Sequence, residues 1–152
     1  MRILIGVSLI CLFLTFVIAG LGLKHGLFAQ TALPGKEIRF TKGAWTDIIQ
    51  KAKKSHKYIF VDVSASWCLP CRQLEMESFR DSAVAAYYND HFISFAIDAE
   101  KGSGIELADR WKIAAYPTLL YFTPDGRMVM RQTGFVDSKR LLDLSKQALS
   151  RN

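Results

Sequence analysis

Six residues, Tyr58-Ile59-Phe60-Val61-Asp62-Val63, constrain the fold more than any other stretch of this chain. All but one are β-branched or aromatic, and a continuous apolar run of this length fits a strand buried on both faces. Such a strand needs a covering layer on each side of its sheet, and parallel neighbours need crossover helices. The flanking segments provide them. Trp45, Ile48, Ile49 and Ala52 recur at helical spacing and form one buried stripe. Before them, Ile38 and Phe40 alternate with polar neighbours and predict a short first strand. Arg72 to Phe79 reads as a helix, and Asp81-Ser82 caps a continuation through Val84, Tyr87 and Tyr88. Phe92 to Ile97 predicts a second buried strand ending at Asp98. Gly102 and Gly104 open a loop before a short helix, Ile105 to Trp111. Thr118 to Phe122 and Met128 to Gln132 flank the turn Thr123-Pro124-Asp125-Gly126, a hairpin signal. Gly134 precedes a last helix, Asp137 to Leu149. The order β-α-β-α-β-α-β-β-α predicts an α/β sandwich with a mixed sheet, its antiparallel edge made by the hairpin.

The N-terminus reads as a targeting element. Arg2 precedes an uncharged apolar run from Ile3 to Leu23, ended by Lys24 and His25. Leu27-Phe28-Ala29 then offers a small residue at a cleavage-like position. The run exceeds the roughly 7–15 residues of a signal-peptide core. At about 1.5 Å per residue it is also long enough to cross a bilayer. A cleaved signal and an uncleaved anchor therefore both stay open, and either one exports the rest. Residues 1–29 are set apart on this ground, residues 30–37 form a linker punctuated by Pro34-Gly35, and residues 38–152 form one domain. Arg2 and Lys24 are the only charged residues in the leader, so a net charge of +6 leaves +4 to the remainder. The densest basic stretch, Lys51 to Lys57, has no interleaved aromatics and no binding motif. It reads as a solvated helix end, and nucleic acid is not expected as a partner.

Behind the leader the chain has two cysteines, Cys68 and Cys71, within Ser66-Trp67-Cys68-Leu69-Pro70-Cys71; the third, Cys11, lies inside the apolar run. Three readings compete for the pair. A structural zinc site wants four ligands, and only His56 and His91 remain, singly placed and outside any ligand motif, so no metal is expected. A purely structural staple closing so small a ring removes little loop entropy. A redox couple fits the exported setting, where disulfides persist. Cys68 directly follows the buried strand and its loop and opens a helix, where free N–H groups and partial positive charge lower a thiol pKa below about 8.5. That makes Cys68 the exposed nucleophile and Cys71, one turn in, the shielded resolving thiol. Pro70 is acceptable because first-turn N–H groups lack intrahelical partners. Asp62 is an acid in an apolar strand. It should titrate above the usual range and could pass a proton to or from Cys71, unless Ser64 or Ser66 hydroxyls satisfy it.

The segment from Phe60 to Cys71 resembles the thioredoxin superfamily, and so do Tyr116-Pro117-Thr118-Leu119 and Gly134, in family order and spacing across about residues 38–149. Within it, Ala52-Lys53-Lys54, Glu77-Ser78-Phe79 and the stretch from Val84 through Asn89-Asp90-His91-Phe92 are most similar to the C-terminal domains of DsbD-type thiol:disulfide interchange proteins. The resemblance implies a thioredoxin-like three-layer sandwich and a thiol–disulfide oxidoreductase without a cofactor. It also implies that Pro117 is cis and faces the cysteines, that the Tyr116 backbone pairs with a substrate strand, that Thr118 belongs to the same substrate loop, and that Trp67 covers the site. Asp62 matches the family's buried acid. Trp45 and Trp111 are expected in the core.

Departures from the family narrow the reading. Ser94 stands where thioredoxins carry a lysine near the buried acid. The intervening dipeptide is Leu69-Pro70, without a histidine, which leans toward a reductant or a moderate potential rather than a strong oxidant. Glu75 is followed by Met76, where relatives that serve cytochrome c maturation have proline; a dedicated haem-maturation reductant is thus one alternative, and a non-catalytic binding module on the same scaffold is another. The expected partners are disulfide-bearing proteins and a membrane electron donor that recharges the couple outside the cytoplasm. A monomer is expected, with a possible tether through residues 3–23.

Overall fold

A computed structural model describes residues 35–151. The proposed leader and most of the linker lie outside them, and no helix among the described residues is long and apolar enough to cross a membrane. Helix α1 spans Trp45–Ser55, opening where Asp47 Oδ2 accepts the Ala44 N–H (3.1 Å) and ending at His56 in the left-handed region. Strand β1, Tyr58–Ser64, follows at once, then helix α2 at Leu69–Met76 and helix α3 at Ser82–His91. Strand β2, Phe92–Asp98, leads to helix α4, Ser103–Arg110. The hairpin β3, Thr118–Phe122, and β4, Met128–Thr133, precedes helix α5, Ser138–Leu149.

The sheet runs β2-β1-β3-β4. β1 is parallel to β2, with Asp62 opposite Ala96, and antiparallel to β3, with Val61 opposite Leu120. It therefore has a strand on each edge, and its side chains alternate between two apolar layers. Ile59, Val61 and Val63 pack with Ile48 and Ala52 of α1, Leu107 and Ala108 of α4, and Trp111. Phe60 points the other way, into Leu74, Val84, Tyr88, Leu141 and Leu144 of α2, α3 and α5. The three-layer mixed α/β sandwich is the one the sequence predicts. Trp111 is buried and Trp45 half-buried, their rings edge-on at 5.1 Å. Deep in the opposite layer the hydroxyls of Tyr88 and Tyr121 meet at 2.8 Å, and Tyr88 Oη lies 3.0 Å from the Leu141 carbonyl. One shared polar contact thus joins α3, β3 and α5.

The predicted first strand is the clearest difference. Only Phe40 pairs with β2, as a single parallel bridge to Ser94. Ile38 gives its N–H to the Phe79 carbonyl (2.9 Å) and Arg39 to the Asn89 side chain (2.8 Å), so the chain reaches β2 only at Phe40 and Thr41. Helix α2 begins right after Cys68 and stops at Met76, short of Phe79. The Ser78 and Phe79 N–H groups both bond the Leu74 carbonyl (3.0 Å each), closing the helix, and Ser78 Oγ donates to the Val136 carbonyl (2.7 Å). Asp81 caps α3 as expected, accepting from the Ala83 and Val84 N–H groups.

Gly104 marks a close approach of helix to sheet, because a Cβ there would run into the Asp98 carbonyl oxygen. Backbone must move to admit it. Gly104→Ala is expected to lower unfolding stability in urea by about 1–3 kcal/mol, the usual cost of overpacking.

Candidate redox site

β1 delivers the chain at Ser64 to a tight turn, Ala65-Ser66-Trp67, whose Ala65 carbonyl accepts the Cys68 N–H (3.0 Å). Cys68 is the N-cap of α2, and Cys71 sits one turn in. The two are joined as a disulfide with Cα atoms 5.3 Å apart, and the Cys71 N–H points at Cys68 Sγ (3.2 Å). One donor expected of a helix start is therefore aimed at the N-terminal sulfur.

The expectation that Cys68 is the exposed member of the pair is not met. Both cysteines are 2 % exposed, because Ala65 and the Tyr116 side chain pack against them. Tyr116 arrives on a loop far along the chain, and the Tyr116–Pro117 peptide bond is cis. The Pro117 carbonyl accepts the Gly134 N–H (2.8 Å), so the two loops bracketing the hairpin are tied together beside the site. Thr118 is buried, and its Oγ1 donates to the Ala115 carbonyl (2.7 Å). Its side chain supports the loop from inside rather than lying open to a substrate.

Trp67 is 63 % exposed, yet it is held at both ends. Its ring meets Tyr116 edge-on at 5.9 Å, and its Nε1–H donates to Glu100 Oε2 at 2.9 Å. Glu100 is itself set by the turn after β2, where its N–H bonds Asp98 Oδ1 (3.0 Å) and Asp98 pairs with Lys101 (3.0 Å). These bonds to the Asp98 carboxylate hold its pKa below the usual range. Glu100 escaped the sequence reading, since nothing local links it to an indole earlier in the chain.

Asp62 is 2 % exposed, and its Oδ1 has no hydrogen-bond partner among the described residues. Neither Ser64 nor Ser66 satisfies it: Ser64 Oγ lies 3.4 Å from the Ile97 carbonyl instead. Burial pushes its pKa up to about 7, and the negative charge of Glu75 adds to the rise. Ser94, at the position of the family lysine, is also buried with an unpaired Oγ on the same face of the sheet. No cation offsets the acid from that position. A cleft of about 490 Å³ opens over Asp62, with Glu75, Phe40, Ala96 and Arg80 in its walls. Glu75 lies one helical turn beyond Cys71, an i, i+4 spacing that could have drawn attention to it.

This geometry places the domain in the thioredoxin class. Residues 45–149 match the thioredoxin-like domain family, and the chain belongs to it. It is 30% identical over 122 residues to the thiol:disulfide interchange protein DsbD of Vibrio vulnificus strain YJ016, covering 76% of this chain and 20% of that protein. The DsbD of Actinobacillus pleuropneumoniae serotype 5b is 26% identical over 149 residues, 91% of this chain and 25% of that one. The chain thus spans a quarter or less of these relatives' length. Among solved structures, a protein of Bacteroides thetaiotaomicron named as a candidate disulphide-isomerase is 36% identical with a TM-score of 0.68, covering 76% of this chain and 96% of that one. A thioredoxin of Thermus thermophilus, 19% identical with a TM-score of 0.67 over 75% of this chain and 88% of that one, shares the fold.

The raised pKa of Asp62 has a sign that can be measured. Between its unfolded value of 3.8 and about 7, the native state binds more protons than the unfolded state, so stability falls as pH rises through this window. Asp62→Asn removes the ionisation. Its stability relative to wild type should rise from about pH 5 to about pH 8 by a few kcal/mol at most, read from urea unfolding at each pH. A pH-independent difference would contradict the assignment.

Proposed function

We propose that this domain is a thiol–disulfide oxidoreductase that reduces or exchanges disulfides of exported proteins through Cys68 and Cys71. The observation that carries the reading is the placement of Cys68 Sγ at the start of α2 with the Cys71 N–H directed at it (3.2 Å). In the reduced protein that donor and the helix terminus favour the Cys68 thiolate. The thiolate attacks one sulfur of a substrate disulfide and expels the other as a thiolate, giving a mixed disulfide. The Cys71 thiol then loses its proton and attacks Cys68, releasing the second substrate sulfur and closing the Cys68–Cys71 bond. Two electrons pass from the pair to the substrate.

Asp62 suits the role of proton acceptor for Cys71. A carboxyl that titrates at about 7 is near half-ionised at neutral pH, where a general base works best. Trp67 and Tyr116 frame the disulfide, and the cis Tyr116–Pro117 peptide offers backbone groups to an incoming extended segment, the role the family assigns to it. Thr118 supports that loop.

The apolar run Ile3 to Leu23 supports export of a monomeric domain, either released by cleavage after Ala29 or, in the reading taken further below, tethered by that run outside the cytoplasm. A reductant there needs renewal, so a membrane protein that passes electrons to the Cys68–Cys71 disulfide is the expected donor. The names of the DsbD relatives, thiol:disulfide interchange proteins, support this setting.

Insulin reduction with dithiothreitol as electron source tests the reading. Wild type should precipitate the insulin B chain well ahead of the uncatalysed reaction, and Cys68→Ser should fall to the uncatalysed rate. Equal activity of the two proteins would overturn the proposal.

A further inference from the structure

The end of the sheet away from the disulfide carries a cleft that the redox chemistry does not use. β1 and β2 are parallel, so Tyr58 and Phe92 begin at the end opposite Ser64 and the Cys68 turn. At about 3.3 Å per residue, the strand separates these ends by roughly 20 Å. Beside Phe92 lies an open cleft of about 470 Å³ bordered by Arg39, Lys42, Lys51 and Lys57, and no carboxylate among the described residues lines it. Arg39, Lys42 and Lys51 are exposed, and Lys57 is half-buried.

Among the described residues, the side-chain hydrogen bonds of Lys51 and Lys57 go to neutral partners. Lys57 Nζ donates to the Asn89 carbonyl (2.9 Å) and Lys51 Nζ to Thr41 Oγ1 (3.3 Å). Among the described residues none of the four is ion-paired, and Glu37 pairs with Arg80 instead (3.7 Å). Four cations gathered with no ion-pair partner among the described residues repel one another, and an anionic surface relieves that repulsion. The aromatic rings at the cleft, Phe40 and Phe92, are half-buried and buried, which leaves no exposed platform for a nucleic-acid base.

The course of the chain indicates which anionic surface is meant. Asn89 accepts the Arg39 N–H and donates to the Glu37 carbonyl (3.1 Å), so the N-terminal segment joins the domain alongside this cleft. From the end of the apolar run at Leu23 to Glu37 the chain can span at most about 50 Å. We propose that the Arg39, Lys42, Lys51 and Lys57 end rests on anionic phospholipid headgroups of the bilayer that holds residues 3–23, with the disulfide turned away from the membrane. The inference rests on the tether reading given above. Such contact is electrostatic and reversible, which leaves the domain free to turn when its electron donor must reach Cys68.

The test is amine-reactive labelling of the full chain in phosphatidylcholine nanodiscs and in discs that also contain phosphatidylglycerol, read by mass spectrometry. Lys42 and Lys51 should label at least about fivefold more slowly on the anionic discs, and the difference should vanish in about 0.5 M NaCl, where screening is nearly complete within a few ångströms. Lys101 and Lys139, outside the cleft, should label alike on both. Equal rates at Lys42 and Lys51, or equal slowing at all four lysines, would overturn the proposal. Slowing by single-stranded DNA at equal phosphate concentration but not by anionic lipid would also overturn it. Failure of the tether shows separately, as protein that does not float with zwitterionic vesicles. In that case slowing at Lys42 and Lys51 on anionic vesicles still supports the basic surface, and its absence there rejects it.

Discussion

Strand β1 is hydrogen-bonded along both edges and covered on both faces, and the site takes its position from this doubly enclosed strand. Moving β1 by one residue would turn Phe60 and Asp62 into the layer that holds Ile59, Val61 and Val63, so its register is strongly determined. Asp62 stays in the apolar layer because the strand cannot rotate to release it. Cys68 begins its helix where it does because the turn after β1 is closed by the Ala65 carbonyl.

The same enclosure sets the electrostatics. The buried carboxyl has an unpaired oxygen, a second carboxylate nearby in Glu75, and a serine where a cation would relieve it. Burial raises its pKa toward neutrality, a cost in stability that suits the proton exchange with Cys71 proposed above. At the surface the order is reversed. Trp67 lies open to solvent, but Glu100 and Tyr116 hold it in place, giving the disulfide a fixed rim.

Much of this was legible in the residues. The apolar run of β1, the periodic stripe of α1 and the turn residues of the hairpin each carry their structure locally, and the structure follows them. The cysteine pair and the acid at Asp62 were legible in the residues themselves, and the cis Tyr116-Pro117 step through the resemblance to thioredoxins. What local pattern could not carry depends on partners distant in sequence. Ile38 and Phe40 alternate like a strand, but Asn89 and the Phe79 carbonyl take the hydrogen bonds a strand would need. Cys68 sits at a helix start, where exposure is the ordinary expectation, and the packing of Ala65 and the distant Tyr116 shields it. Glu75 and Glu100 gain their roles from what the fold brings beside them.

The central claim is that Cys68 and Cys71 form a reversible couple rather than a fixed staple. Its most direct test is the reduction potential of the pair, measured by equilibrating the protein with glutathione or thioredoxin redox buffers. The account predicts a potential less negative than about −300 mV, within the span of thioredoxins and protein disulfide isomerases. A value well below about −300 mV, where structural disulfides of secreted proteins lie, would contradict it.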